Sequence, residues 1–185
     1  IRYIPKKPDL DLFDLSAHVG FSQNKESDSF GHETGFVVNA PIVDNTLAFR
    51  ASYNVVDDPG FIDYNYIVRE AGVSNPQPDF NDPDDVAANL RRAKDNNGNK
   101  LTSGRAALRY TPNSYIDATL TYFYQENKSE GRSLVHHYPD VAQPTDFHVG
   151  RYESGYRFEE PITRKDQLLS LEVSVDLGFA ELVSA

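Results

Sequence analysis

Apolar and polar residues alternate strictly in several stretches of this chain, and a period of two restricts those stretches to strands with two chemically different faces. In the first, Phe13, Leu15, Ala17, Val19 and Phe21 share one face, with Asp14, Ser16, His18, Gly20 and Ser22 on the other. Phe36, Val38 and Ala40 alternate with Gly35, Val37 and Asn39, a weaker case. Leu47, Phe49, Ala51, Tyr53 and Val55 oppose Ala48, Arg50, Ser52 and Asn54. After a long interruption, Ala106, Leu108 and Tyr110 oppose Arg105, Ala107 and Arg109. Ile116, Ala118, Leu120, Tyr122 and Tyr124 then oppose Asp117, Thr119, Thr121 and Phe123. Leu169, Leu171, Val173, Val175 and Leu177 oppose Ser170, Glu172, Ser174 and Asp176. Strands are expected near 12–22, 35–41, 47–56, 104–110, 115–125, 167–177 and 180–185. Most reach the roughly 9–11 residues that a tilted strand needs to cross a bilayer.

The connections sort by length. Ile42–Thr46, Thr111–Ser114 and a turn near Gly178 are short, built on Asp44-Asn45, on Pro112-Asn113 and on the glycine. Between them fall a moderate link, Gln23–Glu33, and two long ones, Asp57–Ser103 and Glu126–Lys165. Short and long connections alternate along the chain, as in an outer-membrane barrel with short turns on one rim and long external loops on the other. The first long connection is expected to hold a helix. Asp82 caps it, Pro83 suits its first position, and Asp84 and Asp85 complement the positive end of its dipole. Val86, Leu90 and Ala93 share a face at helical spacing, with Arg91, Arg92 and Lys94 toward the end and Asn96-Asn97-Gly98 as the stop.

Composition narrows the function. The 185 residues carry 18 Lys and Arg against 28 Asp and Glu, a formal charge of −10, which repels phosphate backbones and makes a nucleic-acid partner improbable. With no Cys there is no disulfide framework and no thiolate chemistry. No apolar run approaches the roughly 18 residues of a membrane helix, but barrel strands average to weak hydropathy and escape that test. Tyr and Phe are plentiful at 11 each, in keeping with strands and interfacial girdles. The chain opens at Ile1 without Met and stops at Ala185 inside an alternation, which reads as a segment of a longer protein.

The opening Ile1-Arg2-Tyr3-Ile4-Pro5-Lys6-Lys7-Pro8 resembles the end of the plug domain of TonB-dependent outer-membrane receptors. The resemblance extends through residues 39–50, through Asp57-Asp58-Pro59-Gly60-Phe61-Ile62-Asp63 and through Gly104–Pro112. Tyr122–Gln125 and Asp176-Leu177-Gly178-Phe179 fit as well. It implies that residues 1–8 end a plug and 9–185 begin an all-β, antiparallel up-and-down transmembrane barrel, about six to seven strands of a wall of roughly 22. It implies import of a scarce solute, an iron chelate, cobalamin or carbohydrate, across the Gram-negative outer membrane. The partners would be a small-molecule ligand, the lipid bilayer and the TonB complex, which is reached through the missing plug. No cofactor is expected.

Two sets of side chains are candidates for function. In the second long connection His136, His137, Tyr138, Arg151, Tyr152 and Arg157 offer imidazole, phenol and guanidinium groups to an anionic chelate or a sugar. The plainer reading is an ordinary solvated loop. Arg50, Arg105, Arg109, Asp117, Glu172 and Asp176 fall on the polar faces. In a barrel that face must be the lumen, since Arg near mid-bilayer on the lipid side costs about 2–4 kcal/mol. There they would contact a plug through ion pairs, or simply pair among themselves. Asp79, Asn81, Asp82, Asp84 and Asp85 could hold a hard cation, and Asp95, Asn97 and Asn99 superficially repeat the oxygen-ligand spacing of a calcium loop. The glycine falls at 98, however, where the EF-hand pattern does not want it. A helix cap followed by a turn is the plainer reading, and no metal site is expected. No nucleophile elbow, phosphate loop or His-Glu-x-x-His motif is present, so the chain reads as a non-enzyme. Two rivals share parts of the pattern: a soluble β-sandwich that binds carbohydrate, and a passive porin.

Overall fold

The computed structural model describes residues 5–136 and 149–184. Seven strands form one antiparallel sheet: β1 (Asp14–Ser22), β2 (Gly31–Val43), β3 (Leu47–Asp58), β6 (Asn99–Asn113), β7 (Ile116–Ser129), β9 (Ile162–Asp176) and β10 (Glu181–Ser184). Their spatial order is β1-β2-β3-β6-β7-β9-β10, so each strand pairs with the next one the chain supplies to the sheet. The sheet is open, with β1 and β10 at its edges. The fold is all-β, with one short helix.

Register carries the sequence alternation across the whole sheet. Ala17 faces Phe36, Phe36 faces Tyr53, Phe49 faces Leu108, Leu108 faces Leu120 and Leu120 faces Leu171, so the apolar halves of successive strands share one face. A slip of one residue anywhere would mix the faces, which is why the pattern specifies the register. All three short turns lie on one rim. Asn45, at φ 53°, closes the first, and the Asn113 side chain accepts from the Tyr115 and Ile116 amides in the second. Gly178, at φ 80°, turns the third, with its N–H bonded to the Asp176 carboxylate.

The two faces are buried in the reverse of the usual sense. On the apolar face Leu169 is 66% exposed, Leu15 63% and Leu171 53%. On the polar face Asn39 is fully buried and Thr119 and Thr121 are 4% and 5% exposed. The cover is in part the chain's own start, which lies across β2, β6, β7 and β9 before entering β1. Asn39 fixes it, accepting from the Asp9 amide and donating to the carbonyls of Asp9 and Leu12. Arg105 and Arg109 donate to the carbonyls of Lys6 and Pro8. Asn39→Ala would strand one N–H and two carbonyls, at about 1–3 kcal/mol for each one left buried. Protease cleavage within residues 6–12 is the check: it should speed up at least tenfold while the sheet's circular dichroism is kept.

The long connections hold strands that the sequence reading, which placed one helix in the first of them, did not foresee. Within the first lie β4 (Asp63–Val68), α1 (Pro83–Asn89) and β5 (Leu90–Ala93), and within the second lies β8 (Glu153–Ser154). β4 pairs antiparallel with β5 and parallel with β8, which joins the two connections in a three-stranded sheet. The expected helix forms, capped by Asp82 as foreseen, but it stops at Asn89. Leu90–Ala93 leaves the helix for β5, so Arg91, Arg92 and Lys94 do not lie on its last turn. The pull is tertiary: Leu90 is buried against β4 and outweighs a modest helical preference. No described helix is long and apolar enough to cross a membrane, which bears on helices only.

Candidate functional site

Two regions hold the candidate side chains: the polar face of the sheet, and the folded connections at its long-loop rim. On the polar face Arg109 forks onto Asp117 with two bonds of 3.0 Å. Lys7 from the crossing segment completes the network, 2.6 Å from Glu172 and 3.5 Å from Asp117. The strand charges Asp117 and Glu172 thus pair with a cation from the chain's own first residues. Sequence reasoning passed over Lys7, although Lys6-Lys7-Pro8 had marked the segment. Asp176 stands apart, its carboxylate spent on the Gly178 turn. Arg105 lies over the Phe123 ring at 5.5 Å. Arg50 sits on the same face and, among the described residues, meets neither a carboxylate nor a hydrogen-bond acceptor.

The loop-rim unit has its own small core of Ile62, Tyr64 and Ile67, with Phe61, Ala93, Val135 and Tyr156 against it. Tyr64 is fully buried, its hydroxyl donating to the Arg132 carbonyl and accepting from the Arg132 amide. Burial pushes its phenol pKa up. Asp95 and Asn97, whose spacing superficially repeats that of a calcium loop, instead tie connections together. The Asn97 side-chain oxygen, Oδ1, accepts from the amides of Phe61 and Ile62 at 2.7 Å each. Asp95, at φ 53°, accepts from the Ser27 hydroxyl and the Asp28 amide, drawing the link between β1 and β2 into the same unit. Lys94 pairs with Asp28, whose carboxyl it holds below the usual range. The acidic run is a cap network: Asp85 accepts from the Asp79 amide and Asp79 from Asn81. No cluster of three metal-ligating side chains occurs among the described residues.

The loop candidates fall into different environments. The His136 ring packs edge-on to Tyr156 at 5.1 Å. Tyr152 packs against Phe61 at 5.9 Å, and the Arg151 guanidinium lies over the Tyr152 ring. Together Arg151, Tyr152, Phe61, Glu153, Asp63 and Glu26 line a cleft of about 280 Å³. Arg157 is a clamp: it donates to the carbonyls of Pro76 and Gly155 and lies over the rings of Tyr66 and Phe80. Burial pulls its pKa down. His137 and Tyr138 lie outside the described residues.

Comparison with protein-family models, with curated proteins and with solved structures gives no match for this chain.

Proposed function

We propose that this chain forms part of the wall of an outer-membrane β-barrel receptor, which captures a scarce solute at its external loops and imports it with energy from the inner membrane. The inverted sheet carries the reading. A continuous apolar face lies open while the polar face is covered, the arrangement of a wall between lipid and lumen. Long strands support it: β3 has 12 residues, β7 has 14, and β6 and β9 have 15 each. Exposed Phe13, Tyr110, Tyr115 and Phe179 gather toward the short-turn rim, as an interfacial girdle would. The open edges of β1 and β10 would be closed by further strands of the barrel.

Energy coupling and the plug rest on the resemblance of residues 1–8 to a plug terminus and on the Lys7 contacts. A porin has no need of a segment held across its lumen by Asn39, Arg109 and Glu172. A soluble sandwich needs a second sheet over Leu15, Leu120 and Leu171, and no such sheet is found among the described residues. On this reading Arg151, Tyr152 and His136 of the loop-rim unit would meet the solute first.

The chain lacks Trp, so single replacements report their own surroundings. Leu171→Trp and Ser170→Trp place an indole on opposite faces of β9. In vesicles of brominated phosphatidylcholine, Leu171→Trp should be strongly quenched and blue-shifted, and Ser170→Trp should not. Equal quenching at both positions, or none at either, removes the membrane reading.

A further inference from the structure

We infer that the polar face carries a binding site for a small organic carboxylate, centred on Arg105 with Arg50 beside it. A cavity of about 430 Å³ opens on this face, within the size range of small-molecule sites. Ser52 and Asn54 of β3, Arg105 of β6, Phe123 and Gln125 of β7 and Asp166 of β9 line it.

The charges in and beside this cavity are unbalanced. Ser52 faces Arg105 and Arg50 faces Ala107, so the two arginines are diagonal neighbours on adjacent strands. Like charges so placed repel, and the Arg105 guanidinium loses hydration to the sheet around it. Elsewhere on this face the chain supplies acids: Asp117 for Arg109, and Glu172 for Lys7. Here the acids near the cavity are engaged elsewhere, Glu33 with His18 and Asn54 and Asp166 with Arg164. Among the described residues the Arg105 guanidinium makes one hydrogen bond, to the Lys6 carbonyl, and its Nε is buried without an acceptor. The carboxylate of Asp166 does not answer it, being held by Arg164 of the same strand.

An incoming carboxylate would meet a planar guanidinium fork. The second positive charge of Arg50 lies within reach. Phe123 offers an apolar surface for the carbon skeleton, and Gln125 offers an amide to further polar groups, the Asn54 amide being held by His18 and Glu33. A neutral molecule of the same shape would leave the arginines uncompensated. The inference goes beyond the transport reading and does not need it, because the cavity lies on the polar face whatever solvent meets the other.

The test is calorimetric titration of the full chain in detergent micelles with succinate, and with succinamide as a neutral analogue of similar size. Succinate should bind, and succinamide at least tenfold more weakly. Arg105→Gln should weaken succinate binding about tenfold or more, the scale of a lost charge-assisted fork. Arg105→Lys, with the charge but not the fork, should fall between. Arg50→Gln should weaken binding too, and it serves if Arg105→Gln does not fold. Lys165→Gln, which removes a charge away from the cavity, should leave binding unchanged. Absent succinate binding, equal binding of succinamide, or binding indifferent to both arginine variants would each overturn the inference.

Discussion

Leu169→Arg is expected to cost about 2–4 kcal/mol of folding free energy in a lipid bilayer, whereas its neighbour Ser170→Arg should stay within about 0.5 kcal/mol. Leu169 stands in the middle of β9 on the apolar face, opposite Tyr122, where a barrel wall lies deepest in hydrocarbon. The guanidinium would have to be buried in lipid or drag water inward. Ser170 points to the polar face, opposite Thr121, where a cation meets hydroxyls rather than hydrocarbon. The pair also decides between solvents. Leu169 is 66% exposed, so if that face met water the same substitution would be an ordinary surface change of a few tenths of a kcal/mol. Urea titration of vesicle-inserted protein, followed by far-ultraviolet circular dichroism, reads the difference. Equal costs at the two positions would mean that the faces do not see different solvents.

How much of this was legible follows from where the alternation holds. All seven strands of the large sheet were readable, and so was the separation of polar from apolar residues, because each strand repeats the same two-face code and register keeps it aligned. Strand ends on the long-loop side were read too short. β6 starts at Asn99 rather than 104, β9 at Ile162 rather than 167, and β7 runs to Ser129 rather than 125. There Asn99-Lys100, Glu126-Asn127-Lys128 and Thr163-Arg164-Lys165 are polar on both faces, and the backbone ladder continues without the code. Turns were legible through Asn45, Asn113 and Gly178, whose chemistry is local.

The loop-rim unit was not legible, for a different reason. Its contacts join residues far apart in sequence: Asp63 meets Glu153, Ser27 meets Asp95, and Tyr64 meets Arg132. Periodicity cannot report such pairings, although Tyr64-Asn65-Tyr66-Ile67-Val68 has the β-branched and aromatic composition of a strand. The polar face was half legible. Its charges were named, but which of them pair depends on Lys7 crossing the sheet, and that no spacing encodes.

The same long-range wiring predicts that the rim unit opens separately from the seven-stranded sheet. Tyr64→Ala should cost about 3–5 kcal/mol, the range for truncating a buried aromatic ring, because the site is closed and cannot collapse. The lost ring packs on Tyr156 at 5.5 Å and sits between Ile62 and Ile67, while its hydroxyl holds both backbone groups of Arg132. No ladder of the seven-stranded sheet passes through Tyr64. Hydrogen exchange should therefore quicken at the amides of Val68, Asn96, His136 and Gly155, which donate to Arg157, Ile62, Ser154 and His136. The amides of Leu108, Leu120 and Leu171 should keep their protection, as expected for a separate unit of lower stability. Tyr64→Phe keeps the ring and orphans the Arg132 N–H and C=O, so it should cost about 1–3 kcal/mol and loosen the same amides less. Matching loss of protection in that sheet would show instead that rim and sheet unfold as one unit. Cleft and clamp around Arg151 and Arg157 would then be fixed by the sheet itself, and Tyr64 would set the stability of the whole chain.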